Sequence, residues 1–166
     1  MFWRRKRKRR LTPRMMLLEL VIKTRSYASR LNMIANRVRL TYMRTKDESL
    51  LKLLQDILYV QSALEILAVR LETLATVGLI AREELQIAKQ VLAHTRETHG
   101  KIQPMIDSIL LELENATTAI AAETSMEFEL EEAKTKLEPS INMILNQAQA
   151  IAEEKLKELT QNNQNP

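Results

Sequence analysis

Residues 49–98 read SLLKLLQDILYVQSALEILAVRLETLATVGLIAREELQIAKQVLAHTRET, and this stretch decides the fold. Apolar side chains recur at Leu50, Leu53, Ile57, Val60, Leu64, Leu67, Leu71 and Leu74. The pattern runs on through Gly78, Ala81, Leu85, Ala88 and Leu92, in alternating steps of three and four. A strand would repeat every two residues; this period belongs to a helix that buries one stripe. As a single helix the stretch would reach roughly 75 Å, at about 1.5 Å per residue. A helix beyond about 25 residues belongs to a coiled coil or a helical hairpin, so a partner helix is expected. Gly78 is the soft point, because glycine inside a helix costs about 1 kcal/mol relative to alanine. It is read as a hinge or a close helix crossing.

The partner lies upstream. Thr12-Pro13 is a helix start, with Thr as N-cap and Pro at the first helical position. A second seam follows at Leu17, Leu20, Thr24, Tyr27, Leu31, Ile34, Val38 and Thr41. Lys46-Asp47-Glu48-Ser49 reads as a short turn in which Asp47 or Ser49 caps the next helix. Residues 14–100 are thus expected to form a long helical hairpin. Beyond it, His99-Gly100-Lys101 with Pro104 marks a stop and restart. Ile102, Met105, Ile106, Ile109, Leu113, Ala116 and Ile120 give a shorter amphipathic helix within an acidic segment, 101–138. Pro139 opens a last helical pattern through Ile141, Ile144, Leu145, Ala148, Ile151, Ala152, Leu156 and Leu159, in a segment, 139–166, that ends in a polar tail.

Composition agrees. In 166 residues there are 2 Gly, 4 Pro and no Cys, and aromatics make up 4%. So few turn formers exclude sandwiches, barrels and most α/β folds. The absence of Cys excludes disulfides, thiol nucleophiles and Cys-ligated zinc. The expected fold is all-α: a long helical hairpin followed by shorter acidic helices, extended and polymerising.

Charge is polarised along the chain. The net charge is +4, yet residues 1–46 hold 15 Lys and Arg against the single acid Glu19, while the remainder is acidic. Such asymmetry points to a polyanionic partner or to head-to-tail contact between copies. Residues 1–13 form a basic tip, in which Phe2 and Trp3 precede Arg4, Arg5, Lys6, Arg7, Lys8, Arg9 and Arg10. Seven adjacent like charges repel, so the tip is expected to order only against an anion. Trp and Phe settle at the lipid headgroup boundary, and clustered basic residues add roughly 1 kcal/mol each near an anionic surface. Aromatics and charges together make a two-signal membrane attachment. The same tip also suits phosphate-backbone binding to nucleic acid, nuclear import, or a soluble tail without a partner.

A second basic feature lies on the first helix, where Lys23, Arg30, Arg37 and Arg44 recur seven apart beside the apolar seam. It fits anionic lipid, an acidic helix, or plain solvation. The acidic run Glu123, Glu127, Glu129, Glu131 and Glu132 is either a solvated face or a strip that folds back on the basic helix.

Enzymatic signals are lacking. His94 and His99 stand five apart, about 140° around a helix, and Glu97 is misplaced for a zinc-protease helix. Gly78 and Gly100 are isolated and make no phosphate loop, and the paired glutamates diverge on a helix. No catalytic residue, cofactor or metal is expected. No apolar run approaches the 18–20 residues or so needed to cross a bilayer, and Glu19 interrupts Met15–Ile22, so no secretory signal is read and an intracellular location is expected.

Basic tip, basic first helix, tight turn, long second helix and shorter acidic helices together resemble the ESCRT-III family, in particular its archaeal cell-division members. The segment Leu64-Glu65-Ile66-Leu67-Ala68-Val69-Arg70-Leu71-Glu72-Thr73-Leu74, ending at Gly78, is similar to those members. The likeness covers about residues 1–135 and rests on helix order and charge polarity rather than on one motif. It implies a helical hairpin that polymerises into filaments on the cytoplasmic face of the membrane, expected at the division site, and constricts or cuts membrane necks in cell division or vesicle release. It implies an anionic membrane, further copies of the chain and paralogous ESCRT-III subunits as partners, with an AAA-family ATPase that disassembles the polymer. Phe2–Arg10 and Lys23, Arg30, Arg37 and Arg44 would then face lipid. Leu50, Leu53, Ile57, Leu64, Leu67, Leu71 and Leu74 would form the hairpin and polymer core, and residues 102–130 would pack on neighbours or switch between closed and open forms. The sequence shows neither the winged-helix segment nor the proline-rich docking motif of some archaeal members, so the ATPase is expected to act through a paralogue. The alternative is a coiled-coil nucleic-acid-associated protein that uses the same basic tip.

Overall fold

A computed structural model describes residues 11–78, 81–124 and 131–161. They form five α-helices: α1 (Pro13–Thr45), α2 (Glu48–Val77), α3 (Arg82–His99), α4 (Pro104–Glu123) and α5 (Glu131–Gln161), with a short 3-10 turn, Gly100–Ile102, between α3 and α4. The fold is all-α.

Helix α1 starts as its sequence dictates. The Met15 N–H donates to Thr12 Oγ1 at 3.2 Å, and Pro13 takes the first helical position, where no N–H is needed. It ends at Lys46, whose left-handed backbone (φ 55°) turns its N–H onto the Tyr42 carbonyl at 2.7 Å. Asp47 at once caps α2, accepting from the Ser49 N–H at 3.0 Å and the Ser49 hydroxyl at 2.8 Å. Two residues therefore reverse the chain, and α1 and α2 run antiparallel. Arg25 pairs with Glu72 towards one end of the hairpin, and Gln61 Nε2 donates to Asn32 Oδ1 at 3.4 Å near its middle.

The apolar spacing through residues 49–98 does not belong to one helix, and its members Gly78 and Ala81 lie exposed between two helices. Gly78 adopts φ 76°, donates to the Leu74 carbonyl at 3.2 Å and ends α2. Glycine enters this left-handed region without the Cβ clash that holds other residues out. Helix α3 then returns alongside α2, with Arg70 paired to Glu84 at 2.9 Å near the reversal and His99 Nδ1 2.9 Å from Asp56 Oδ1 at the far end. The single helix expected over 49–98 is corrected to two. Alternating three-four spacing serves two short helices facing a common core as well as it serves one long one.

Helix α4 doubles back on α3, held by Arg96 to Glu114 at 2.6 Å, and touches α1 through Lys23 and Glu112 at 3.5 Å. Helix α5 begins eight residues before the expected start at Pro139, which it carries inside it. That proline leaves the Thr135 carbonyl without its intrahelical donor. Helix α5 lies along α2, where Lys155 reaches Glu65 at 3.3 Å, and Arg39 Nε of α1 donates to the Leu159 carbonyl at 3.3 Å in its last turn. A cation there meets the negative end of the helix dipole.

The middle of α2 is buried on every side. Ile57 to Leu64 are eight consecutive buried residues, because α1, α3 and α5 surround them. Buried Ser62 returns its hydroxyl to the Leu58 carbonyl at 2.7 Å. One apolar cluster joins Leu17 and Leu31 of α1, Leu54 and Leu64 of α2, Leu85 of α3, Leu113 of α4 and Ile144 of α5. The later helices thus cover the stripe that a bare hairpin would leave open.

Candidate functional site: the outer face of α1

Burial of one side of α1 fixes what the other side presents. Leu20, Thr24 and Leu31 are buried against the bundle. At about 100° per residue, Met15, Leu18, Ile22, Met33 and Leu40 fall within an arc of about 60° on the side away from it, and Leu11 lies just before the N-cap Thr12. All six are exposed, Ile22 by 67%, Leu40 by 59% and Met33 by 57%. They form two apolar patches on one ridge, separated by exposed Ser26 and Ser29 and accompanied by exposed Asn36. Monomeric proteins scatter exposed leucines and methionines singly; alignment along one helix face is unusual.

Basic residues edge the ridge on both sides. Lys23, Arg30, Arg37 and Arg44 are all exposed and lie along one edge. Arg14, Arg25 and Arg39 lie along the other by the same helical count, but Arg25 is paired with Glu72 and half-buried Arg39 bonds the Leu159 carbonyl, which leaves exposed Arg14. Lys23 is tied to Glu112, and the Arg30 guanidinium sits 5.4 Å from the centre of the Tyr27 ring. Among the described residues, Arg30, Arg37 and Arg44 have no carboxylate within ion-pair distance. The Tyr27 hydroxyl also donates to Glu112, and that bond to a carboxylate, then partial burial, holds the phenol above its usual pKa of 10.0.

Lys23 is therefore the one member of the expected stripe drawn onto an acidic helix, through Glu112. The tip residues Phe2, Trp3 and Arg4 to Arg10 lie outside the described residues, as do Glu127, Glu129 and the side chains of Glu131 and Glu132. Glu123 is exposed at the end of α4. Ile57, Leu64, Leu67, Leu71 and Leu74 are buried within the chain, and Leu50 and Leu53 are half-buried. They supply the hairpin core, and a neighbouring copy could reach the buried ones only after the bundle opened. The apolar ridge was not singled out from the sequence, although its spacing of three, four, eleven and seven from Met15 is legible there. The stronger buried seam on the same helix masks it.

The two histidines serve different surroundings. His99 is flanked by Asp56 and stacks on Tyr59, with ring centres 4.3 Å apart, whereas His94 is exposed. Among the described residues no three His, Asp or Glu side chains converge to hold a metal ion, and no helix is long and apolar enough to cross a membrane. No family model matches the chain, and no curated protein or solved structure matches it.

Proposed function

We propose that the protein is a peripheral membrane-remodelling subunit of ESCRT-III type, which binds anionic bilayers through its basic N-terminal third and assembles into filaments that constrict membrane necks. One observation carries this reading: the outer face of α1 presents Arg30, Arg37 and Arg44 without carboxylate partners among the described residues, on a helix whose only acid is Glu19. Basic side chains held on a rigid helix face attract anionic lipid within a Debye length, by roughly 1 kcal/mol each. The tip Phe2–Arg10 adds seven basic residues before α1 in the sequence. The α1–α2 hairpin supplies a stiff rod, and the helices folded onto it correspond to a closed form that opens for assembly.

In this reading the partners are anionic lipid, further copies of the chain and paralogous subunits, and an AAA-family ATPase acts through those paralogues at the division site. The test is co-sedimentation with vesicles, anionic against neutral, at low and high salt, followed by electron microscopy for filaments. Selective pelleting with anionic lipid that salt weakens, and that is sharply reduced by deletion of residues 1–10, is the expected result. Absence of pelleting at every salt, for the full chain and for a chain shortened before α5, overturns it. A salt-sensitive shift of DNA or RNA without lipid binding would instead identify a nucleic-acid-associated coiled-coil protein.

A further inference from the structure

The basic edges of α1 account for attraction to anionic lipid, but they leave the ridge between them unexplained. Electrostatic attachment alone would be served by a polar outer face. Here the exposed side of α1 carries Met15, Leu18, Ile22, Met33 and Leu40. From Met15 to Leu40 the ridge runs about 38 Å along the helix, at about 1.5 Å per residue. Apolar centre and cationic margins are the arrangement of a helix that lies in the headgroup plane, with its aliphatic side chains below the phosphates and its guanidinium groups level with them.

We infer that α1 is itself an in-plane membrane-inserting helix: its ridge enters the acyl-chain boundary of an anionic bilayer, and Arg30, Arg37 and Arg44 on one edge, with Arg14 on the other, bind the lipid phosphates. The inference rests on the membrane reading above and deepens it, because it assigns insertion to the folded bundle and not to the N-terminal tip alone. Helix α1 keeps its buried face on α2 while its outer face enters the lipid, so the closed bundle binds without opening.

Charge selects lipid over a second copy of the chain. Two α1 ridges packed together would bring arginine margins against arginine margins, with only Glu19 on each helix to oppose them. Ser26, Ser29 and Asn36 also interrupt the unbroken three-four spacing that a coiled-coil seam needs. A nucleic-acid backbone would take the arginines and leave the apolar side chains in water.

The chain has no cysteine, so a single introduced thiol carries a unique label. An environment-sensitive fluorophore is placed at Met33→Cys, at Leu40→Cys and, as a control on an exposed position of α5, at Gln149→Cys, in the full chain. With vesicles rich in phosphatidylserine, the labels at 33 and 40 should shift to the blue, gain intensity several-fold and be quenched by lipids brominated in the acyl chain. The label at 149 should keep its aqueous spectrum. The unlabelled double variant Met33→Ser/Leu40→Ser should retain full helicity and lose on the order of tenfold in vesicle affinity, a loss that persists at high salt. Pelleting with aqueous spectra at all three positions would overturn the insertion and leave the electrostatic reading standing. A concentration-dependent blue shift at 33 and 40 without lipid would overturn it in favour of contact between copies. No pelleting in any form would remove both readings together.

Discussion

Arg70 and Glu84 close the reversal between α2 and α3 fork to fork: Nη2 donates to the two carboxylate oxygens at 2.9 and 3.1 Å, and Nε donates to one of them at 3.3 Å. Fourteen positions along a continuous helix would part them by about 21 Å. The pair therefore exists only because the chain turns at Gly78. Both side chains keep about a third of their surface in water, so screening limits the gain. A double-mutant cycle of Arg70→Met and Glu84→Gln, read from denaturant unfolding, should give a coupling of about 0.5–1 kcal/mol. Zero coupling would make the pair incidental to the reversal.

Gly78 offers a test in which the sign decides. A Cβ built there meets no atom within 4 Å, so crowding is not at issue and backbone conformation is. At φ 76° an L-alanine is strained, and Gly78→Ala should cost about 1 kcal/mol. Were residues 49–98 one helix, the same change would stabilise by a similar amount, about 1 kcal/mol. Equilibrium unfolding in urea distinguishes the two outcomes without a structure of the variant.

That contrast marks where the sequence is legible. Thr12-Pro13, the turn at Lys46-Asp47 and the seams of α1 and α2 follow from short-range rules, and these elements appear where the residues put them. The reversal at Gly78 was readable only as a soft point, because Leu85, Ala88 and Leu92 stay in step with Leu64, Leu67 and Leu71 whether the chain continues or doubles back. Pro139 marks a helix start in most sequences, yet α5 begins at Glu131, and packing of Leu137, Ile144 and Ala148 outweighs the missing hydrogen bond. The basic stripe was legible from its spacing of seven. Its pairing differences were not, since Glu112 lies 89 residues from Lys23 and meets it only through the packing of α4 on α1. Burial of Ile57 to Leu64 on all sides was not legible in the seam, which assigns only Ile57, Val60 and Leu64 of that run to a buried stripe; the covering helices come from distant sequence.

Charged substitutions at Leu64 and Leu67 should unfold the protein rather than merely loosen it. Leu64 and Leu67 are almost wholly buried in the shared cluster. Leu64→Ala should cost about 3 kcal/mol, from lost transfer energy and the cavity left behind. Leu64→Asp or Leu67→Asp would place an unpaired carboxylate there and should abolish the cooperative helical signal in circular dichroism. Full helicity retained in Leu67→Asp would argue against a buried seam at this level.

Two tyrosines should report the packing through pH. Tyr27 is held above its usual pKa of 10.0 first by its bond to Glu112, and Tyr59 by burial. A phenol whose folded pKa lies above its unfolded value adds stability that is fully present below about pH 10 and is lost as pH rises through the higher folded value. Tyrosinate absorbance should therefore rise later in the folded chain than in urea. Tyr27→Phe should make stability fall less steeply in that alkaline range. Identical titration curves with and without denaturant would contradict both contacts.

The charge of α1's outer face can be separated from net charge by placing the same substitutions on two surfaces. Arg30→Glu/Arg37→Glu reverses two exposed cations on the face assigned to lipid. Lys136→Glu/Lys157→Glu makes the same change of net charge at exposed positions of α5. If attraction were diffuse, the two double variants would bind anionic vesicles equally weakly. If the face is specific, the α1 variant loses two attractive contacts of roughly 1 kcal/mol each and adds two repulsive ones, so its affinity should fall by about a hundredfold or more, against several-fold for the α5 variant. The gap should narrow as salt shortens the Debye length from about 10 Å at 0.1 M towards 3 Å at 1 M. Vesicle co-sedimentation across that salt range provides the check. Equal loss in the two variants would reduce α1 to one contributor among many to a general positive field.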